Sequence, residues 1–261
     1  DGRYLKFVIM GKIMETVSVS NFDLKDISGK TLDRSRPSKT ATFWLRRDII
    51  RGVFKPGERL KVEHLSEFYK VGQSPIREAI LGNLSNHLIV HEFQRGYRVA
   101  PVCLAEYNDL YETYYRLYAI VMEMAVEIGD QQWEESVVLA LHRMRHIPSV
   151  RPGGDQQLVE QWERAYLNFV LKLVSGCGSV TLSQVIYEIG SRLERYSMLF
   201  GDFSDQPGKE EQEIHEHVVS ALIERDAGRL RETTGEYVRF TEARRESIRE
   251  RLRSESQDSY S

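Results

Sequence analysis

The stretch "VGQSPIREAI", residues 71–80, decides how the rest of the chain is read. Gly72 is a turn former, Ser74 carries a capping hydroxyl, Pro75 follows it, and Arg77 and Glu78 precede an apolar run. Ser74 is predicted to accept from the free N–H groups of a first helical turn. Pro75 then occupies the first helical position, where its missing N–H costs nothing. Gln73, Ser74 and Arg77 face outward from this helix start. The helix dipole favours negative charge there, so a set of donors with a cation points to an anionic partner.

The neighbouring segments give that helix a context. "TATFWLRRDIIRG" (40–52) predicts a helix with Phe43, Leu45, Ile49 and Ile50 at mixed helical spacing, stopped by Gly52. "VFKPGERL" (53–60) is a turn centred on Pro56-Gly57. "VEHLSEFYKV" (62–71) predicts a short helix with Leu65, Phe68 and Tyr69 inward. The helix opened by Ser74 is expected to run to about Leu88. "IVHEFQRGYRVAP" (89–101) reads as two short strands around Gln94-Arg95-Gly96, with Gly96 supplying the permissive backbone. Three helices and a hairpin make a winged helix-turn-helix. In that design the third helix enters the major groove, its first residues at the base edges, and the wing lies along the backbone or minor groove.

Beyond Pro101 the pattern is helical throughout, over about 104–128, 131–146, 155–175, 179–201, 208–225 and 227–252. The expected fold is therefore mainly α: a winged helix-turn-helix, then an all-α bundle of about six helices. The expected domains are a flexible arm (1–38), the DNA-binding domain (39–101), an all-helical domain (102–253) and a disordered tail (254–261).

Composition narrows the class. The 261 residues are 41% hydrophobic and 29% charged, with a formal net charge of −3. Residues 39–101 nevertheless hold 11 Lys and Arg against 6 Asp and Glu, so the basic segment is the one suited to a polyanion. No apolar run approaches the ~18 residues of a membrane span. Cys103 and Cys177 are the two cysteines, too few for a disulfide framework or a cysteine zinc site, and a cytoplasmic setting is expected. His142 and His146 share a helix face without a third ligand or a general base, and a solvated face is the better reading. Arg46, Arg47 and Arg51 are read the same way. No nucleophile–base set, phosphate-binding glycine loop or paired carboxylates stand out, so no catalytic residue is assigned.

Residues 45–101, from "LRRDIIRG" through "PGERL", "HLSEFYKV" and "PIREAI" to "GYRVAP", resemble the DNA-binding domain of the GntR family of bacterial transcription regulators. The helical remainder, with "SGCGS" and "HEHVVSALIERDAGRL", resembles the FCD ligand-binding domain of the FadR subfamily. The resemblance covers roughly residues 40–250. It implies a homodimer on a short pseudo-palindromic operator in double-stranded DNA, with binding changed by a small metabolite, usually a carboxylic acid. Carried over position by position, it implies DNA contacts at Glu63, Gln73, Ser74, Arg77, Arg95 and Gly96. The best-studied subfamily has arginines at the positions of Glu63 and Gln73. A glutamate does not bind phosphate as arginine does, whereas Gln73 can read adenine or donate to a phosphate.

The same resemblance bears on metal. The family site takes an Asp and a His four apart on one helix and a His from each of two later helices. Here those positions are Tyr166, Val170, His215 and Tyr237, so no metal or other cofactor is expected. Tyr114 and Tyr118 stand where relatives carry an arginine and a glutamate. Tyr107, Tyr111 and Tyr115 are expected to pack. The implied effector pocket is lined by Tyr114, Tyr118, Tyr166, His215 and Tyr237, with Arg195 nearby, and suits a ligand with a flat or partly apolar body. Two rival readings remain: a regulator that has lost its ligand, and a helical-bundle enzyme, which needs converging carboxylates and histidines that the sequence does not display.

Overall fold

The structure is a computed structural model, described here for residues 37–147, 156–201 and 209–258. Residues 1–36, most of the expected arm, lie outside it. The fold is mainly helical, with one small sheet. In the head, α1 (Pro37–Ile50) is followed by β1 (Arg59–Leu60), α2 (Val62–Tyr69), α3 (Gln73–Ser85), β2 (Ile89–Glu92) and β3 (Gly96–Val99). Among the described residues seven helices follow: α4 (Leu104–Ile128), α5 (Gln131–Arg145), α6 (Gln156–Ser175), α7 (Val180–Phe200), α8 (Lys209–Ile223), α9 (Ala227–Phe240) and α10 (Glu242–Asp258). The expected count was six. The long 227–252 helix is interrupted at Thr241, whose hydroxyl donates to the carbonyls of Tyr237 (3.0 Å) and Val238 (3.3 Å). A threonine bonding back to such carbonyls competes with the helix ladder. Residues 254–258, expected in a disordered tail, extend α10.

The chain forms two compact units. Among the described residues one comprises 37–112, 188–201 and 244–258 and contains the head. Its core is built from Leu45 and Ile49 of α1, Leu65 of α2, Ile76, Ala79 and Ile80 of α3, and Leu88, Ile89 and Val99 of the wing. These residues sit at i, i+3 and i+4 spacings along their helices, which is why one face of each is apolar. Within α2 the inward set is Val62, Leu65 and Tyr69, while Phe68 is 51% exposed. Phe68 lies at the edge of that face and meets Tyr69 and Phe54 edge-to-face at centroid distances of 5.0 and 5.6 Å. Asp48, buried on α1, accepts from the Tyr69 hydroxyl at 2.7 Å and from Arg47 Nε at 2.8 Å, which pins α2 to α1. Burial and the adjacent Asp48 carboxylate both raise the Tyr69 phenol, so it stays a donor. Arg46 is buried as well, not solvated as expected.

The wing is three-stranded, in the order β1-β3-β2, all antiparallel. Strand β1 has two residues, too few for a period to be seen in sequence. It is aligned by the Lys55–Glu58 turn, closed by the Glu58 N–H on the Lys55 carbonyl at 3.0 Å. Pro56 and Gly57, the latter at φ +76°, occupy the two central positions, which makes it a type II turn. Arg98 ties the wing to that turn, donating Nε to Glu92 at 2.9 Å and an Nη to the Gly57 carbonyl at 2.8 Å.

Among the described residues the second unit comprises 113–147, 156–187 and 209–243. Trp133 organises one end of it. Its indole N–H donates to the Lys172 carbonyl at 2.7 Å, and its ring lies so close to Gly129 and Gly176 that a Cβ on either would stand 2.3 Å from a ring atom. Arg225 stacks its guanidinium 5.8 Å from the same ring and donates to the carbonyls of Val126 (2.8 Å) and Gly129 (2.6 Å), satisfying the end of α4. The indole is rigid and buried, so Gly176→Ala is expected to destabilise the chain by about 1–3 kcal/mol through overpacking. Denaturant unfolding of that variant checks it, and wild-type stability would contradict the contact.

Candidate functional site

The first candidate surface is the outer end of α3. Gly72 is its N-cap, with extended backbone (φ −64°, ψ 160°) and no side-chain cap bond. Gln73, Ser74 and Pro75 are therefore the first three helical residues. Ser74 is not the cap and Pro75 is not at the first position. The left-handed Lys70 (φ 54°) ends α2, and α3 starts two residues earlier than the Ser74 cap predicts. Pro75 remains tolerated, because the first four N–H groups of a helix lack intrahelical partners anyway. Gln73, Ser74, Arg77 and Glu78 are all exposed, while Ile76, Ala79 and Ile80 are buried in the head core. The Ser74 hydroxyl is exposed and does not cap this helix. The helix ends at Ser85 rather than near Leu88, where His87 turns left-handed (φ 57°) and the Leu88 N–H reaches back to the Asn83 carbonyl at 3.1 Å.

The elements around α3 hold it in place. Asn83, fully buried, donates to the Thr42 carbonyl of α1 at 3.1 Å. A Cβ on Gly82 would stand 3.1 Å from Thr42 Cγ2, so the two helices approach closely there. Glu63 is exposed on α2. Arg95 is exposed in the turn between β2 and β3, and Gly96 begins β3 at φ +82°. Gln94 shares that left-handed backbone (φ 62°), which sequence reasoning did not foresee. Phe93 beside it is 84% exposed.

The second candidate site is a cavity of ≈ 50 Å³ in the second unit. Helix α4 supplies Tyr114, Tyr115 and Tyr118, and α6 supplies Tyr166, Phe169, Val170 and Leu173. His215 and Val218 of α8 and Thr234 and Tyr237 of α9 complete it. Five of the six side chains named from sequence thus meet around one space. Arg195 does not: it is buried in the other unit, donating to the Ala100 carbonyl at the end of the wing. The face that α7 turns at residue 195 is set by packing, which helical spacing does not reveal. Tyr115, expected to pack, lines the cavity. Phe169 and Thr234 were missed, although each lies three residues from a named tyrosine and so on its helix face.

Neutral groups dominate the cavity. Burial lowers His215 from 6.5 to about 4. Burial also raises the Tyr118 and Tyr237 phenols, Tyr237 being further raised by neighbouring Tyr166 and Glu211. The Tyr166 and Tyr237 hydroxyls lie 3.3 Å apart, and Trp162 stacks on Tyr166 at 5.3 Å. Of the four positions at which the family resemblance calls for metal ligands, Tyr166 and Tyr237 carry phenols, that of Tyr237 raised by burial, and Val170 has no donor atom. This set does not fit a divalent metal, which needs deprotonated or imidazole ligands. Among the described residues no group of three or more His, Cys, Asp or Glu is placed to hold one. His142 and His146 do face each other, with ring centroids 4.2 Å apart, but they form only a pair.

Residues 38–99 match the family described as bacterial regulatory proteins of the gntR family, and residues 109–240 match the FCD domain. The chain belongs to the GntR family. It is a DNA-binding transcription regulator of the winged-head, FCD-domain type. This GntR regulator is 32% identical to the HTH-type transcriptional regulator BphR of Paraburkholderia xenovorans LB400 over 193 residues, 74% of this chain and 78% of that one. It is 27% identical to the HTH-type transcriptional repressor GlaR of Escherichia coli K12 over 192 residues, 72% of this chain and 86% of that one. Among solved structures, E. coli McbR/YncC is similar in fold, with TM-score 0.61, 18% identity, and coverage of 86% of this chain and 99% of that one. A GntR regulator from Rhodococcus sp. RHA1 is similar at TM-score 0.56 and 21% identity, covering 82% and 97%. Among the described residues no helix is long and apolar enough to cross a membrane.

Proposed function

We propose that this GntR regulator acts in the bacterial cytoplasm, binding a pseudo-palindromic operator as a homodimer. The N-terminal turn of α3 lies at the base edges of each half-site, and the wing tip lies on the backbone or minor groove. The carrying observation is the exposure of Gln73, Ser74 and Arg77 at the start of a helix whose other face is locked into the head core. Gln73 can pair bidentately with adenine and Arg77 with guanine. Exposed Arg95 supplies a cation at the wing tip. Glu63, in contrast, disfavours a phosphate beside it and accepts from a cytosine amino group instead. A small metabolite in the tyrosine-lined cavity changes operator affinity, provided it binds the DNA-competent and incompetent states unequally. The repressor GlaR among its relatives supports repression as the direction of control.

One observation favours a second reading. A cavity of ≈ 50 Å³ is well below the roughly 300–1,000 Å³ of common ligand pockets. On that reading the chain is a ligand-unresponsive DNA-binding module. The experiment that tests the proposal is selection of a duplex from a random pool, followed by binding isotherms at several salt concentrations. The expected result is two chains per duplex and an affinity that falls steeply with salt, because phosphate contacts release counterions. One chain per duplex, or an affinity indifferent to salt, contradicts it.

A further inference from the structure

His215 is 8% exposed, and it points among the rings of Tyr166, Phe169 and Tyr237 at centroid distances of 6.1, 5.4 and 5.7 Å. Among the described residues its ring nitrogens have no hydrogen-bond partner. A neutral imidazole carries one donor and one acceptor, and buried polar groups are nearly always satisfied by protein or by bound molecules. The cavity therefore offers a donor and an acceptor that the protein itself does not use. Further handles surround them. The Tyr166 and Tyr237 hydroxyls share a long hydrogen bond of 3.3 Å, which leaves the Tyr237 hydroxyl with capacity for a ligand. Thr234 already donates to the Leu230 carbonyl at 2.8 Å, which leaves its oxygen to accept.

None of the cavity-lining residues is Lys, Arg, Asp or Glu. An ionised carboxylate placed there would lose its hydration without meeting a counter-charge. Size restricts the occupant too. The space is about a third of the ~150 Å³ that accommodates a benzene ring, so a flat aromatic body enters only if a tyrosine ring swings aside.

We infer that the cavity binds, without metal, a small uncharged molecule bearing both a donor and an acceptor, a primary amide or an alcohol, and rejects the matching carboxylate. Here His215 and the Tyr237 hydroxyl grip the polar group while the rings of Tyr118 and Tyr166 cover the apolar part. This deepens the effector reading above, and rests on it for the site's role but not for its chemistry.

The test uses the full chain and two matched probe pairs, acetamide with acetate and benzamide with benzoate, at pH 7.5. Ligand-observed NMR titration measures binding, and operator affinity is measured separately with each probe present. At least one amide is expected to bind about tenfold or more tighter than its carboxylate. Tyr237→Phe, which keeps the ring and removes the hydroxyl, is expected to weaken amide binding several-fold, and His215→Leu to abolish it. Equal or tighter binding of the carboxylates overturns the inference. So does the failure of both amides at concentrations on the order of tens of millimolar, which would leave water as the occupant. Zinc, nickel or manganese near one equivalent in protein purified without chelator, lost on His215→Ala, overturns it as well. An amide that binds without changing operator affinity supports the inference and refutes the effector reading. A carboxylate that changes operator affinity while no amide binds does the reverse.

Discussion

Arg77→Ala is expected to weaken binding of the full chain to its operator by on the order of 1–3 kcal/mol, roughly 5-fold to 150-fold. Arg77 sits one turn into α3, exposed, with Ile76 and Ile80 buried on the other side of the helix. Its side chain makes no intramolecular ion pair among the described residues. Its removal should therefore leave the head folded, and the thermal midpoint should stay near that of wild type. A bidentate arginine–guanine pair is read out as sequence preference. Affinity for the operator should thus fall more than affinity for a random duplex of equal length. Arg95→Ala should weaken both duplexes more evenly, as expected of a group on the phosphate backbone. If Arg77→Ala binds the operator as wild type does, α3 is not the reading helix.

Acidification is expected to destabilise the second unit through His215. Burial lowers this imidazole to about 4, against 6.5 for an exposed histidine. Between those values the unfolded chain binds a proton that the folded chain refuses, so stability rises with pH across the window. Its contribution is fully present above about pH 6.5 and is lost as the pH falls towards 4. At 1.36 kcal/mol per unit, the loss between pH 7.5 and 4.5 is about 2–3 kcal/mol. Denaturant unfolding of wild type and His215→Gln at both pH values measures it, since the neutral amide does not titrate. A pH dependence unchanged by the substitution would mean that folding does not suppress protonation of His215. The same measurement bears on the cavity, because an imidazole easily charged in the folded state would also welcome a carboxylate.

Much of the head was legible because its signals are local. A Pro-Gly pair specifies a type II turn, and Gly96 starts β3 with the positive φ expected of it. The i, i+3, i+4 spacing of Ile76, Ala79 and Ile80 divides α3 into a core face and an outer face. Errors arose where a boundary depends on the preceding element. Ser74 looks like a cap, yet α2 ends at the left-handed Lys70 and Gly72 is the cap. Phe68 looks like core, yet an eight-residue helix has room for one narrow stripe, which Val62, Leu65 and Tyr69 fill. The break at Thr241 has no glycine or proline to announce it, only a hydroxyl that bonds back to the previous turn.

By itself the sequence determined the winged head, the all-helical remainder and the outward placement of Gln73, Ser74 and Arg77. These follow from residue chemistry and short-range spacing, which act within a few residues along the chain. Only the tertiary structure decided which helix faces meet. It joined Tyr115, Phe169 and Thr234 to the tyrosine cavity, kept every charged side chain out of its lining, and left a space of ≈ 50 Å³. It also turned Arg195 away to the Ala100 carbonyl. The physical reason is that the rotation of a long helix about its axis is set by packing against partners distant in sequence, and spacing within one helix does not encode that angle.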